Sequence, residues 1–192
     1  MMQEAPIEDT KVFGFWLYLM TDLVIFAALF ATYVVLRDST FGGPSGHDLF
    51  EIRTALFETM ILLTSSFTCS LATLAVYKNQ KNQILLWLAL TFLLGSAFLA
   101  LEIAEFIHFV SIGASWSRSG FLSAFFTLVG THGFHISCGL LWMLVAMFRV
   151  FSRPLSSPAI SQLFRLAFFW HFLDVVWIFI FSVVYALGIL YA

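Results

Sequence analysis

ILLWLALTFLLGSAFLALEIAEFIHFV, residues 84–110, runs for 27 residues without a Lys or Arg. As a helix it would rise about 40 Å at 1.5 Å per residue. That exceeds the roughly 30 Å hydrocarbon core of a bilayer. Lipid cannot satisfy an open backbone, so an apolar run of this length reads as a membrane-spanning helix. Three ionisable residues interrupt it near one end: Glu102, Glu105 and His108. The run therefore sets the fold class and poses the functional question together.

Four further apolar runs have the same character, at about 13–36, 55–77, 121–148 and 163–191. The expected fold is an all-α polytopic membrane bundle of five transmembrane helices. Residues 1–12 read as a polar, acidic cytoplasmic tail and 13–192 as the bundle. Hydrophobic residues make up 61% of the chain and charged ones 10%, against about 45–50% and 25% in soluble domains. A net charge of −2 with no basic stripe excludes a nucleic-acid partner. The first apolar run is too long for a signal-peptide core and lacks a small-residue cleavage site after it. Cys69 and Cys138 fall inside apolar runs and read as small hydrophobes rather than as a disulfide. No span contains Pro and no internal repeat is visible, which argues against a transporter with broken helices.

Two connections are long. Residues 37–54 hold Gly42, Gly43, Pro44 and Gly46, which mark a turn. Asp48 followed by Glu51 reads as a helix cap with its reciprocal acid. Residues 149–165 carry Pro154 and Pro158. Six basic residues lie on the side of the N-terminus (Lys11, Lys78, Lys81, Arg149, Arg153, Arg165) and three on the other (Arg37, Arg53, Arg118). The positive-inside rule then places the N-terminus in the cytoplasm and the C-terminus outside.

All nine Lys and Arg fall in the loops or the tail, but the acids do not. Asp22, Glu58, Glu102, Glu105 and Asp174 sit within spans, as do His108, His132, His135 and His171. A charged Asp at a span centre costs about 2.5–3.5 kcal/mol on the insertion scale. These acids must lie near the interfaces, carry protons, or bond to each other and to imidazoles. Glu58, near the start of its span, reads as reaching the interface. Spacing of three residues puts Glu102, Glu105 and His108 on one helix face. His132 and His135, and then His171 and Asp174, repeat that step. Three consecutive spans thus present short polar stripes that should face one another and not lipid. Trp170 and Trp177 share a face and read as packing residues.

Two chemistries fit such stripes. Glu-x-x-Glu facing His-x-x-His offers ligand types for a di-iron centre built from Glu102, Glu105, His132 and His135. The plainer reading is hydrogen bonding between helices. His132 and His135 are too close on one helix to be opposite axial ligands of a haem.

Several stretches taken in order carry a family resemblance: GFWLYLMTDLVIFAALFATY, GGPSGHDLFE, EIAEFIHF, RSGFLSAFFTLVGTHGFHISCGLLW and FWHFLDVVWIFIFSVVY. Together they resemble subunit III of haem–copper terminal oxidases, most closely the five-span form of the bo-type ubiquinol oxidase branch. The resemblance covers about Gly14 to Leu187. It implies a subunit without a catalytic or redox centre, and with no cofactor of its own. Haems and copper would belong to subunit I of a proton-pumping ubiquinol oxidase in the bacterial inner membrane. Subunit I and the other oxidase subunits would be the partners. It also implies a cleft between the first two spans and the rest, holding phospholipid, and a role in assembly and stability. Asp22 matches the family's intramembrane acid, near a proposed oxygen-entry route. Glu105, His132, His135, His171 and Asp174 match polar positions that bond between helices and line lipid sites. On this reading Glu102 and Glu105 would pair with the histidines of the following spans.

Overall fold

The computed structural model describes residues 5–44, 46–152 and 154–190. Its helices in order are α1 (Ala5–Leu36), α2 (Gly46–Leu49), α3 (Ile52–Tyr77), α4 (Lys81–Ser111), α5 (Gly120–Ser152) and α6 (Ser157–Ile180). A π-helical turn, Phe181–Ala186, continues α6 and leads into α7 (Leu187–Leu190). Five helices are long and apolar enough to cross a membrane. α1 already begins at Ala5, so most of the stretch read as a tail is helical. The far end of the last expected span, at Tyr191, lies outside the described residues.

Local chemistry explains where these helices stop. After α4, Gly113 takes φ +81°. Its N–H donates to Val110 O at 3.1 Å, and the Ala114 N–H to Phe109 O at 2.9 Å. This doubly bonded left-handed cap satisfies carbonyls that would otherwise face lipid. Asn79 does the same work after α3 at φ +54°, with Asn79 N–H on Val76 O and Gln80 N–H on Ala75 O. α6 begins after the extended Ser156, with Pro158 in its first turn, where no amide hydrogen is required. α3 starts at Ile52 with Glu51 as its cap residue, and Glu51 makes no side-chain capping bond. Gly46–Leu49 form a separate short helix instead, so Asp48 does not stand at the start of the second span. The Asp48 side chain lies outside the described residues.

α3, α4, α5 and α6 close a four-helix ring, with α3 packing most extensively on α4 and α6 returning to α3. α1 lies outside the ring, on α5 and more lightly on α6. This corrects the expected cleft. The second span is part of the bundle and is not split off with the first. A groove of about 940 Å³ runs instead between α1 and α6, lined by Leu23, Phe26, Phe30, Phe172, Val176 and Phe179 among others. The physical reason lies in α3, whose buried face is mostly small or polar, with Ala55, Thr59, Ser65, Thr68, Cys69 and Ala72 beside the larger Leu62 and Val76. Small residues let backbones approach, which is how helices associate when lipid removes the hydrophobic drive.

Trp170 shows how tight that approach is. Its indole is fully buried. A Cβ added at Gly95 on α4 would lie 2.7 Å from the ring, and one at Gly139 on α5 3.1 Å from it. The indole N–H donates to Ser65 Oγ of α3 at 3.1 Å. One side chain of α6 therefore touches the three other helices of the ring.

Candidate functional site

The polar groups of the spans form three clusters. The first joins α1 to α5. His135 Nε2 faces Asp22 Oδ2 at 3.6 Å. His135 Nδ1 lies 2.7 Å from Thr131 O. A carbonyl only accepts, so Nδ1 carries the ring hydrogen there. Attraction at the other end then requires a proton on Nε2 or on Oδ2. Phe26 packs its ring 5.3 Å from that of His135 and shields the pair. We expect His135→Leu to loosen α1 from the bundle while leaving the four-helix ring folded. Faster protease cleavage confined to α1 and its loop would check this.

A second cluster joins α6 to α3. Ser66 Oγ lies 2.7 Å from His171 Nδ1, and Ser70 Oγ 3.3 Å from Nε2. Asp174 Oδ2 sits 3.6 Å from His171 Nδ1. Nearby, Ser65 Oγ donates to Thr91 O at 3.2 Å, and the Thr68 and Thr91 hydroxyls meet at 2.8 Å. The Ser and Thr residues of α3 are partners that a search for charged groups passes over. Their recurrence in TSSFTCS, residues 64–70, is the signal that points to them.

The third cluster gathers the acids of α4. Tyr185 O–H donates to Glu105 Oε2 at 2.7 Å. Glu105 thus pairs with a tyrosine of the π-helical turn and not with a histidine. Glu102 and Glu58 are buried, and their carboxyl oxygens meet no hydrogen-bonding partner. Glu58 is 0% exposed, so it does not reach the interface: it lies on the face of α3 turned into the bundle. His132 is also fully buried, stacked on Trp177 at 5.4 Å and 28°. Trp177 N–H in turn donates to Thr59 Oγ1 at 3.1 Å. His108 is exposed in the last turn of α4, near enough to Glu105 to act on it electrostatically.

Tyr185→Phe should cost about 1 kcal/mol, the net worth of one hydrogen bond at a partly exposed acceptor. A lower thermal midpoint with unchanged helix content would check it.

The four residues that a di-iron centre would need do not converge. Glu105 turns to Tyr185, His135 to Thr131 and Asp22, and His132 to Trp177. Among the described residues, no three His, Cys, Asp or Glu side chains are grouped to hold a metal ion. What the arrangement does is join helices through polar contacts.

Comparison with known proteins agrees with this architecture. A family profile described as cytochrome c oxidase subunit III matches residues 3–189. The chain is 56% identical over 179 residues to cytochrome bo(3) ubiquinol oxidase subunit 3 of Pseudomonas aeruginosa, covering 93% of this chain and 86% of that one. It is 44% identical over 185 residues to the protein of the same name from Buchnera aphidicola, covering 94% and 95%. It is 46% identical over 187 residues to cytochrome c oxidase subunit 3 of Bacillus sp. strain PS3, covering 97% and 90%. A match across nearly the whole chain, on a five-helix membrane bundle whose polar groups tie helix to helix, means that the chain belongs to the cytochrome c oxidase subunit III family.

Proposed function

We propose that this chain is the third subunit of a bacterial quinol oxidase and serves as a structural subunit of that complex. The observation that carries the reading is 56% identity, over 93% of this chain, to a relative named for ubiquinol oxidation. The internal geometry supports it, because several polar side chains of the spans, among them His171, Glu105 and Trp177, bond from one helix to another within this chain. Subunit I would be the main neighbour and would carry the haems and copper. The complex would oxidise ubiquinol, reduce oxygen to water and move protons outward.

The groove between α1 and α6 is the candidate lipid site. Its walls are almost wholly apolar, with His171 as the polar exception. That suits acyl chains. Asp22 at the α1–α5 contact is the candidate for the oxygen route. The six-to-three distribution of Lys and Arg supports an N-terminus in the cytoplasm of a bacterial inner membrane. Lys81 Nζ donating to Phe151 O and Arg149 donating to Gln162 Oε1 hold the basic end of the bundle together.

The deciding experiment is the native mass of the tagged protein extracted in mild detergent. A multi-subunit particle carrying haem, copper and retained lipid is expected. A lone chain with two bound irons would overturn the reading in favour of a free-standing enzyme. Within the complex, Glu105→Ala or Asp174→Ala should lower the amount assembled more than the turnover of what assembles. Normal assembly with turnover reduced about tenfold, equivalent to about 1.4 kcal/mol on the barrier, would show that these residues act on catalysis.

A further inference from the structure

The third cluster holds more unpaired polar atoms than its hydrogen bonds explain. Both carboxyl oxygens of Glu58, both of Glu102 and both ring nitrogens of His132 are buried without a partner in the protein. These six atoms come from α3, α4 and α5. Trp177 of α6 is their common wall. It stacks on His132, donates to Thr59 beside Glu58, and packs edge-on against Phe98 at 4.6 Å, one turn before Glu102. The Tyr185 ring stands 6.1 Å from that of Trp177. Glu58, Glu102 and Glu105 are close enough for their charges to act on one another. Gly133, next to His132, faces Glu102 across the α4–α5 contact. A Cβ there would lie 3.4 Å from Glu102 Oε2. By helical rise, Glu58 and His132 lie about 9 and 18 Å along α3 and α5 from the end carrying the 37–51 and 112–119 connections.

Leaving such groups unpaired in a dry interior is costly, and more so when they are charged. Buried polar atoms nearly always have a partner, in the protein or in ordered solvent. A single metal ion does not fit, because the donors do not converge on one point. Water does. It both donates and accepts, a buried molecule makes about three hydrogen bonds, and molecules can be chained between donors too far apart to share one ion.

We propose that Glu58, Glu102 and His132 line a buried water site in this end of the bundle, with the Tyr185–Glu105 hydrogen bond closing it toward the surface. The ligand is water, held as a short chain that links α3, α4 and α5. The site gives three helices a common hydrogen-bonded centre that no pair of side chains in it supplies.

The test is a density map of the intact oxidase complex, by electron cryomicroscopy at a resolution that shows ordered water. Non-protein density should appear about 2.7–3.2 Å from an oxygen of Glu58 or Glu102, and again from a nitrogen of His132. Carboxyl groups bonded directly to each other or to the imidazole, with no density between, would overturn the proposal. The double variant Glu58→Leu/Glu102→Leu should lose that density. Its persistence would show that these acids do not hold it. Should the variant fail to assemble, the map of the unaltered complex alone decides.

Discussion

Trp170→Ala should be the most destabilising single truncation in the bundle, at about 3 kcal/mol. That is the low end of what Trp-to-Ala changes cost in water-soluble cores. The low end applies because lipid tails are as apolar as the bundle interior, so the transfer share of the loss is weak. Dispersion contacts remain to be lost, and they are many. The indole fills the space between Gly95 and Gly139, and neither glycine has a side chain that could follow a retreating ring. The hydrogen bond to Ser65 goes as well. Ser65 still donates to Thr91, so it is not left orphaned, and that part of the loss is small. The measurement is the thermal midpoint of the detergent-solubilised complex, read as the fraction that stays assembled after heating. A loss below about 1 kcal/mol would mean that α4 and α5 close over the space, and that the wedge is not what sets their separation.

The number of spans was legible because an apolar run above twenty residues admits one structure in lipid. The polar stripes were legible because a spacing of three keeps residues on one helix face. Partner identity was not. Tyr185 lies 80 positions from Glu105, and it sits within a π-helical turn. Such a turn takes an extra residue and rotates the later side chains around the axis. A helical wheel continued straight from Ser157 therefore misplaces Tyr185. The burial of Glu58 was hidden for another reason. Position along a span gives depth but not direction, and α3 has no polar outer face against which to read an inner one. The same lack of contrast concealed that α3 belongs inside the four-helix ring. The marker that sequence did offer was the run of Ser and Thr on α3, which becomes informative only once small polar residues are weighted as helix contacts in a membrane.

Gly95→Val should approach the effect of Trp170→Ala by the opposite route, overfilling in place of emptying. A Cβ at 95 falls 2.7 Å from Cη2 and Cζ2 of Trp170 and 3.2 Å from Leu140. The indole cannot retreat, because Gly139 already lies against its far edge and Ser65 holds its nitrogen. Forcing atoms into a packed core costs about 1–3 kcal/mol, and the upper part of that range applies where the obstacle is a ring pinned on two sides. The two positions should then be coupled. Gly95→Ala alone creates the clash, while Trp170→Phe alone removes ring atoms and the hydrogen bond. Together, the smaller ring makes room for the new methyl. The double variant should be more stable than the sum of the single losses predicts, by about 0.5–3 kcal/mol, the range for residues in contact. Strict additivity would show that helix α4 shifts as a body to relieve the first clash. In that case the glycine would matter for its backbone and not for the space above it.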